Sequence, residues 1–73
     1  MNVSLRQLRA FLATVESGSF TRAAHRLHLS QSAVSMIIRQ LEIELGLDLF
    51  SREKKRLILT DMGRQLEPIA RRM

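Results

Sequence analysis

The sequence of 73 residues contains no cysteine, which excludes disulfides, thiolate metal sites and a cysteine nucleophile. It also contains no apolar run near the roughly 18 residues that a membrane span requires. Arg6 and Arg9 interrupt the N-terminal stretch, so we expect no signal peptide, no membrane partner and a cytoplasmic, nucleoid-associated protein. The few carboxylates are scattered along polar faces and do not converge. We therefore expect neither an enzyme nor a cofactor in this single short domain.

Acidic residues are outnumbered by basic ones. Twelve Lys and Arg residues against seven Asp and Glu give a net charge of +5. This balance fits a polyanionic partner such as nucleic acid. It fits an ordinary solvated surface as well, so charge alone leaves the function open.

The stretch 19–40 predicts two short helices joined by a tight turn. Ser19 and Ser30 are candidate N-caps, and each precedes apolar residues at helical spacing. Helices joined by so short a turn cross each other, and Ala23 and Ala24 allow a close approach. The sequence therefore predicts a helix-turn-helix at about 20–39.

The second of these helices, from about Gln31 to Leu45, has a polar side opposite the buried stripe centred on Val34. Amide and guanidinium groups can form bidentate hydrogen bonds with base edges, and small hydroxyls permit close approach to a groove. Ile37 and Ile43 are expected to cover a neighbouring element. The predicted outward residues are Gln31, Ser32, Ser35, Met36 and Arg39.

The first helix of the pair exposes Thr21, Arg22, His25 and Arg26 in the predicted arrangement. Arginines beside a helix N-terminus suit a phosphate contact, although an ordinary polar face explains the pattern equally well. His25 and His28 have a spacing that metal ligands use, but no third ligand is near, so we expect no metal.

Residues 4–17 predict a helix that precedes the pair. Ser4 and Gln7 fit a capping box, and Gly18 can adopt the left-handed backbone conformation that ends a helix. Leu5, Leu8, Phe11, Leu12 and Val15 are expected to form its buried stripe. We interpret this helix as scaffold.

Residues 49–59 predict a two-stranded hairpin with a charged tip. A solubilising loop is the alternative, but positive charge next to a reading helix favours a wing that contacts phosphates or the minor groove. The basic residues at the tip are Arg52, Lys54, Lys55 and Arg56.

The last segment predicts another helix, with Thr60 as N-cap and Pro68 weakening or kinking it. Its apolar side fits dimerisation with a second copy. The residues expected at that interface are Met62, Leu66, Ile69 and Met73.

Several runs of residues resemble the LysR-type transcriptional regulators of bacteria. These runs are 18–21, 23–24, 27, 29–35, 41–42, 45–46, 49–52, 59–60 and 63. The resemblance implies a mainly α fold, a winged helix-turn-helix with a three-helix core and a two-stranded β wing, occupying residues 1–60. It also implies a linker helix that starts at 61–73 and pairs in a dimer, or in a tetramer of the whole protein. A small-molecule effector would then bind a separate domain that these 73 residues lack.

The same resemblance implies that Gln31, Ser32 and Ser35 correspond to residues that contact bases or the DNA backbone. It implies that Arg52 and the basic wing correspond to residues that contact the minor groove and phosphates. The pair Met36-Ile37 departs from the polar or basic pair common in the family. This departure shifts the expected readout toward Gln31, Arg39 and the wing.

We therefore predict sequence-specific binding to double-stranded promoter DNA by a transcription regulator. The alternatives are a helical dimerisation module whose charge serves only solubility, and a non-specific DNA-binding domain.

Overall fold

The computed structural model describes residues 2–51 and 57–73. Within them lie four helices and two short strands. The elements in chain order are α1 (Leu5–Ser17), α2 (Phe20–Leu27), α3 (Gln31–Leu45), β1 (Phe50–Ser51), β2 (Ile58–Leu59) and α4 (Asp61–Arg71).

Helix α1 begins and ends where its local sequence predicts. The Ser4 hydroxyl accepts a hydrogen bond from the Gln7 N–H, and the Gln7 side chain accepts one from the Ser4 N–H. At the other end Gly18 adopts the left-handed conformation, with φ of 72°. The reciprocal cap satisfies amide hydrogens that would otherwise lack partners.

Helix α1 is the centre of the fold, because it packs against α2, α3 and α4. Leu8 and Phe11 are buried as predicted, and Leu12 and Val15 pack against the core from partly buried positions. The prediction for Leu5 was wrong: this side chain is 50% exposed. Leu5 is the first residue of the helix and lines an open groove with Leu27 and Leu29, so the neighbouring elements cover it only in part.

The helix-turn-helix is formed by α2 and α3. The Ser19 hydroxyl accepts a hydrogen bond from the Arg22 N–H, and the Ser30 hydroxyl accepts one from the Ala33 N–H, so both predicted N-caps are confirmed. His28 ends α2 in the left-handed conformation, a geometry that lets the chain reverse within a few residues. The helices cross over fully buried small side chains, Ala23 and Ala24.

Helix α3 buries Val34, Ile38 and Leu41 completely. Ile37 packs against the core from the margin, as predicted. Ile43 was expected to cover a neighbouring element, but it is 60% exposed. It follows Met36 by seven residues, and this spacing places it on the outward side of the helix.

The predicted wing strands pair antiparallel, with Phe50 opposite Leu59 and Ser51 opposite Ile58. Phe50 is buried, and its ring lies 5.6 Å from that of Phe11 and 6.0 Å from that of Phe20, measured between centroids. These tilted and edge-on contacts attach the base of the wing to α1 and α2.

Helix α4 starts at Thr60, as predicted. The Thr60 hydroxyl accepts a hydrogen bond from the Gly63 N–H and donates one to the Asp48 carbonyl oxygen at 2.7 Å. Pro68 lies inside the helix, which continues to Arg71. The three-helix core, two-stranded wing and fourth helix confirm the predicted fold class, while the domain division at residue 60 stays a prediction.

Replacing Gly63 by Ala is expected to destabilise the protein. A methyl group at this position would meet the Leu49 carbonyl oxygen and would lie 2.6 Å from Leu59 Cδ1. The gain of about 1 kcal/mol in helix propensity is outweighed by overpacking of about 1–3 kcal/mol against rigid backbone. Thermal unfolding followed by circular dichroism would measure the change. Gln65→Ala on the exposed side of α4 is the control, and a Gly63→Ala protein as stable as the wild type would refute this packing.

Candidate nucleic-acid interface

The outward side of α3 presents polar groups together with one long apolar side chain. Gln31, Ser32 and Arg39 are exposed, Met36 is 66% exposed, and Ser35 is half-buried at the edge. We call these five residues the outer face of α3. All five sequence predictions for this helix therefore fall on one continuous surface, because the opposite side is committed to the core.

The chemistry of the outer face differs along its length. The Ser32 hydroxyl lies 3.4 Å from that of Ser30 beside the helix N-cap. Arg39, one to two turns further on, has no ion pair among the described residues. An amide, small hydroxyls and a free guanidinium can all form hydrogen bonds with base edges, and a thioether side chain can contact a thymine methyl group.

Helix α2 contributes a smaller exposed patch beside this face. Thr21 and Arg22 lie in its first turn and are both exposed, as predicted. Arg26 is exposed too, but it donates hydrogen bonds to Glu16 at 3.0 Å and to the Ser17 hydroxyl at 3.4 Å. The structure therefore separates the two arginines: Arg26 joins α2 to α1, whereas Arg22 has no carboxylate partner in the described ranges.

The Glu16 carboxylate forms the middle of an ion-pair network. It accepts hydrogen bonds from Arg71 at 2.7 Å and from Arg26 at 3.0 Å, and Arg71 also contacts Glu67. The hydrogen bonds from Arg71 and then from Arg26 hold the pKa of the Glu16 carboxyl below its ordinary value of 4.5. The network joins α1, α2 and α4, so Arg26 and Arg71 have a structural role.

Glu42 has a structural role at this site that the sequence did not predict, although residues 41–42 belong to the runs that resemble the family. Its carboxylate is 3% exposed and accepts hydrogen bonds from the Leu49 N–H at 2.9 Å and the Phe50 N–H at 3.3 Å. These bonds attach the start of the wing to α3. The signal was present, since Glu42 follows the buried Ile38 by four residues and therefore continues the inward side of the helix.

The basic tip of the predicted wing lies outside the described residues. Arg52, Lys54, Lys55 and Arg56 belong to the range 52–56, so their role stays a prediction. The strands on either side of this range are paired, as described above.

The apolar side of α4 is open. Met62 is 43% exposed, Ile69 53% and Met73 74%, while Leu66 is half-buried. The inward side of the same helix carries Gly63 and Ala70, both buried. The helix thus covers α1 with one side and leaves Met62, Leu66 and Ile69 on another, while Met73 lies two residues beyond its end.

Two further findings concern other classes of site. In the ranges 2–51 and 57–73, no three side chains of His, Cys, Asp or Glu come together as metal ligands. None of the helices in those ranges combines the length and apolarity that a bilayer crossing needs.

Comparison with known proteins agrees with this architecture. The model of a family described as "Bacterial regulatory helix-turn-helix protein, lysR family" matches residues 5–64. The RuBisCO operon transcriptional regulator of Allochromatium vinosum is 59% identical over 66 residues, which cover 90% of this chain and 22% of that protein.

Solved structures are similar as well. The complex of the BenM DBD with benA site 1 DNA has a TM-score of 0.91 at 38% identity, covering 96% of this chain and 79% of that one. Vibrio fischeri DarR in complex with DNA has a TM-score of 0.93 at 35% identity, covering 99% of this chain and 25% of that one.

The four helices, the wing strands and these similarities define a winged helix-turn-helix DNA-binding domain. The chain belongs to the LysR family of bacterial regulatory helix-turn-helix proteins, which confirms the resemblance seen in the sequence. It spans about a fifth of the length of the Allochromatium relative.

Replacing Glu42 by Ala is expected to lower the free energy of unfolding by about 2–4 kcal/mol, because two buried amide hydrogens lose their acceptor. Glu42→Gln keeps an acceptor oxygen and should lose less. Chemical denaturation would measure both, with Gln40→Ala as a control on the exposed side of α3. Equal stability of Glu42→Ala and Gln40→Ala would contradict the anchoring role.

Proposed function

We propose that this chain binds double-stranded promoter DNA sequence-specifically, as the DNA-reading part of a bacterial transcription regulator. The observation that carries the proposal is the outer face of α3, which is exposed, polar and backed by a fully buried stripe. A helix presented in this way fits the major groove, where each base pair offers a distinct pattern of hydrogen-bond donors and acceptors.

The residues of the outer face divide the task by their chemistry. Gln31 and Arg39 can each form two hydrogen bonds with one base, so we assign them the reading of base edges. Ser32 and Ser35 are short enough to let α3 approach the groove closely. Met36 offers apolar contact to a thymine methyl group.

Backbone contacts position the domain without reading sequence. We assign this role to Arg22, which is exposed and has no ion pair among the described residues, with Thr21 beside it. The basic tip of the wing (Arg52, Lys54, Lys55 and Arg56) is proposed to lie on phosphates or in the minor groove, and the net charge of +5 agrees with this.

Gln31→Ala is expected to lower discrimination between the target site and a scrambled duplex by about 1–3 kcal/mol, because a base edge loses its partner. Arg22→Gln should weaken binding to both duplexes alike. Fluorescence anisotropy titrations with both duplexes, the target taken from the promoter region of the parent gene, would measure these effects. Gln65→Ala, which removes an exposed glutamine on α4 and away from the outer face, is the control.

Three outcomes separate the alternatives. Equal affinity of the wild type for target and scrambled duplexes would favour non-specific binding. Competitor DNA would then displace the protein from the target duplex. No binding to any duplex at low salt would favour a dimerisation module. A sequence-independent loss in Gln31→Ala would refute the assigned reading role.

We further propose that two copies pair through α4. Met62, Leu66 and Ile69 lie within about 60° of one another around the helix axis, and Met73 follows two residues beyond the end of α4. Three of the four are more than two-fifths exposed. The partly buried Leu45 and Leu47 line a shallow depression with Met62, Leu66 and Ile69, so a second copy would cover a contiguous apolar patch.

Ile69→Ser is expected to weaken self-association about tenfold or more, because a symmetric interface loses the apolar side chain twice. Sedimentation equilibrium of the 73-residue chain would measure the dissociation constant. Ile43→Ser, which changes an equally exposed isoleucine on α3, should leave it unchanged. Equal dissociation constants for both variants would argue against pairing through α4.

The remaining assignments concern the whole protein. We propose that it acts in the cytoplasm, is not an enzyme, and responds to a small-molecule effector through regions other than these 73 residues. Dimers on DNA would then place two α3 helices on two half-sites.

A further inference from the structure

Helix α1 was interpreted as scaffold, yet its first turn borders the outer face of α3. Arg6 and Gln7 line a shallow surface depression together with Met36, Ile37 and Gln40 of α3. Met36 is the member of the outer face that lies nearest to α1 in this arrangement. Arg6 is therefore adjacent to the surface that we assign to DNA.

The N-terminal segment is held along α3 by specific contacts. The Asn2 N–H donates a hydrogen bond to Glu44 Oε2 at 3.2 Å, near the C-terminal end of α3. Four residues later the chain has reached Met36, about two turns nearer the N-terminal end of that helix. The first turn of α1 thus runs toward the reading half of α3, and the capping box of Ser4 and Gln7 fixes its backbone.

The charge on Arg6 is available for a partner. Arg26, Arg64 and Arg71 each contact a carboxylate within 3.0 Å, whereas Arg6 is exposed and has no such partner in the described parts of the chain. An unpaired guanidinium beside a groove-reading helix is a suitable donor to a phosphate oxygen.

We propose that Arg6 binds a backbone phosphate of the duplex, next to the groove that α3 enters. The inference rests on the proposed DNA binding and adds a positioning residue from outside the helix-turn-helix and the wing. We assign Arg6 a phosphate and not a base, because the outer face of α3 would fill the groove and the edges of a groove carry phosphates.

A different partner for this surface would be an acidic protein segment. Arg6 and Arg9 both border an apolar groove that includes Leu5, Leu27 and Leu29, and such a groove suits an amphipathic helix. The phosphate assignment is favoured because Arg6 also borders Met36, whereas Arg9 borders only the apolar groove. Arg9→Gln therefore makes a matched control, with the same loss of charge on the same helix.

The test is the salt dependence of duplex binding by the 73-residue chain. Arg6→Gln is expected to reduce the slope of log affinity against log salt by about 0.9, the value for one phosphate contact, for target and scrambled duplexes alike. Arg6→Lys should retain the slope, and Arg9→Gln should leave it at the wild-type value. Circular dichroism melting would establish that all four proteins are folded.

The results distinguish the two proposals. A wild-type chain without affinity for any duplex would overturn both DNA binding and the role of Arg6. Wild-type binding with an unchanged slope in Arg6→Gln would overturn the role of Arg6 alone. Equal reductions in Arg6→Gln and Arg9→Gln would also overturn it, since they would indicate diffuse charge or an acidic partner surface and not a defined contact.

Discussion

The first wing strand, β1, keeps a defined position relative to α3 because one buried carboxylate binds the backbone at its start. A charged group is expensive to bury unless hydrogen bonds replace its water, and Glu42 receives bonds from the Leu49 and Phe50 amides. The Phe50 ring then packs against Phe11 and Phe20. A single segment of two residues thereby connects the recognition helix, the wing and both preceding helices. In a domain this small, such shared contacts replace a large core.

Close approach of backbones is the second constraint. Ala23 and Ala24 are buried where α2 crosses its neighbours, and Gly63 lies where α4 passes the Leu49 carbonyl group. Larger side chains at these three positions would push the helices apart and displace α3 or α4. The ion pairs of Glu16 with Arg26 and Arg71 join the same helices at the surface, where solvent screening keeps the contribution of each pair small. Packing therefore determines the arrangement, and the charges reinforce it.

Local signals explain why most of the fold could be predicted from the sequence. The caps at Ser4, Ser19, Ser30 and Thr60 depend on residues within three positions of one another, and the core stripe of α3 follows from periodicity. Periodicity also places Glu42 on the inward side of α3 and Ile43 on the outward side, whereas the exposed Leu5 and the backbone partners of Glu42 could not be predicted in this way. These depend on which other element covers that part of a helix, and residues far along the chain decide this. The outer face of α3 was predictable because it is the complement of a clear apolar stripe, whereas the proximity of Arg6 to Met36 needed the tertiary structure.

The ion pairs of the structure show which arginines are available to a partner, whereas the composition gives only their number. A net charge of +5 says nothing about where a polyanion would bind. Within the described residues, Arg26 and Arg71 are joined to Glu16, and Arg64 is joined to Asp61. Arg22 and Arg39 on the helix-turn-helix have no carboxylate partner there, and neither have Arg6 and Arg9 on α1 or Arg72 at the end of α4. Because neutralised arginines add little to the long-range field, the unpaired ones dominate the attraction of a duplex. The carboxylates that join the helices thus also determine which arginines stay available for the DNA contacts proposed above.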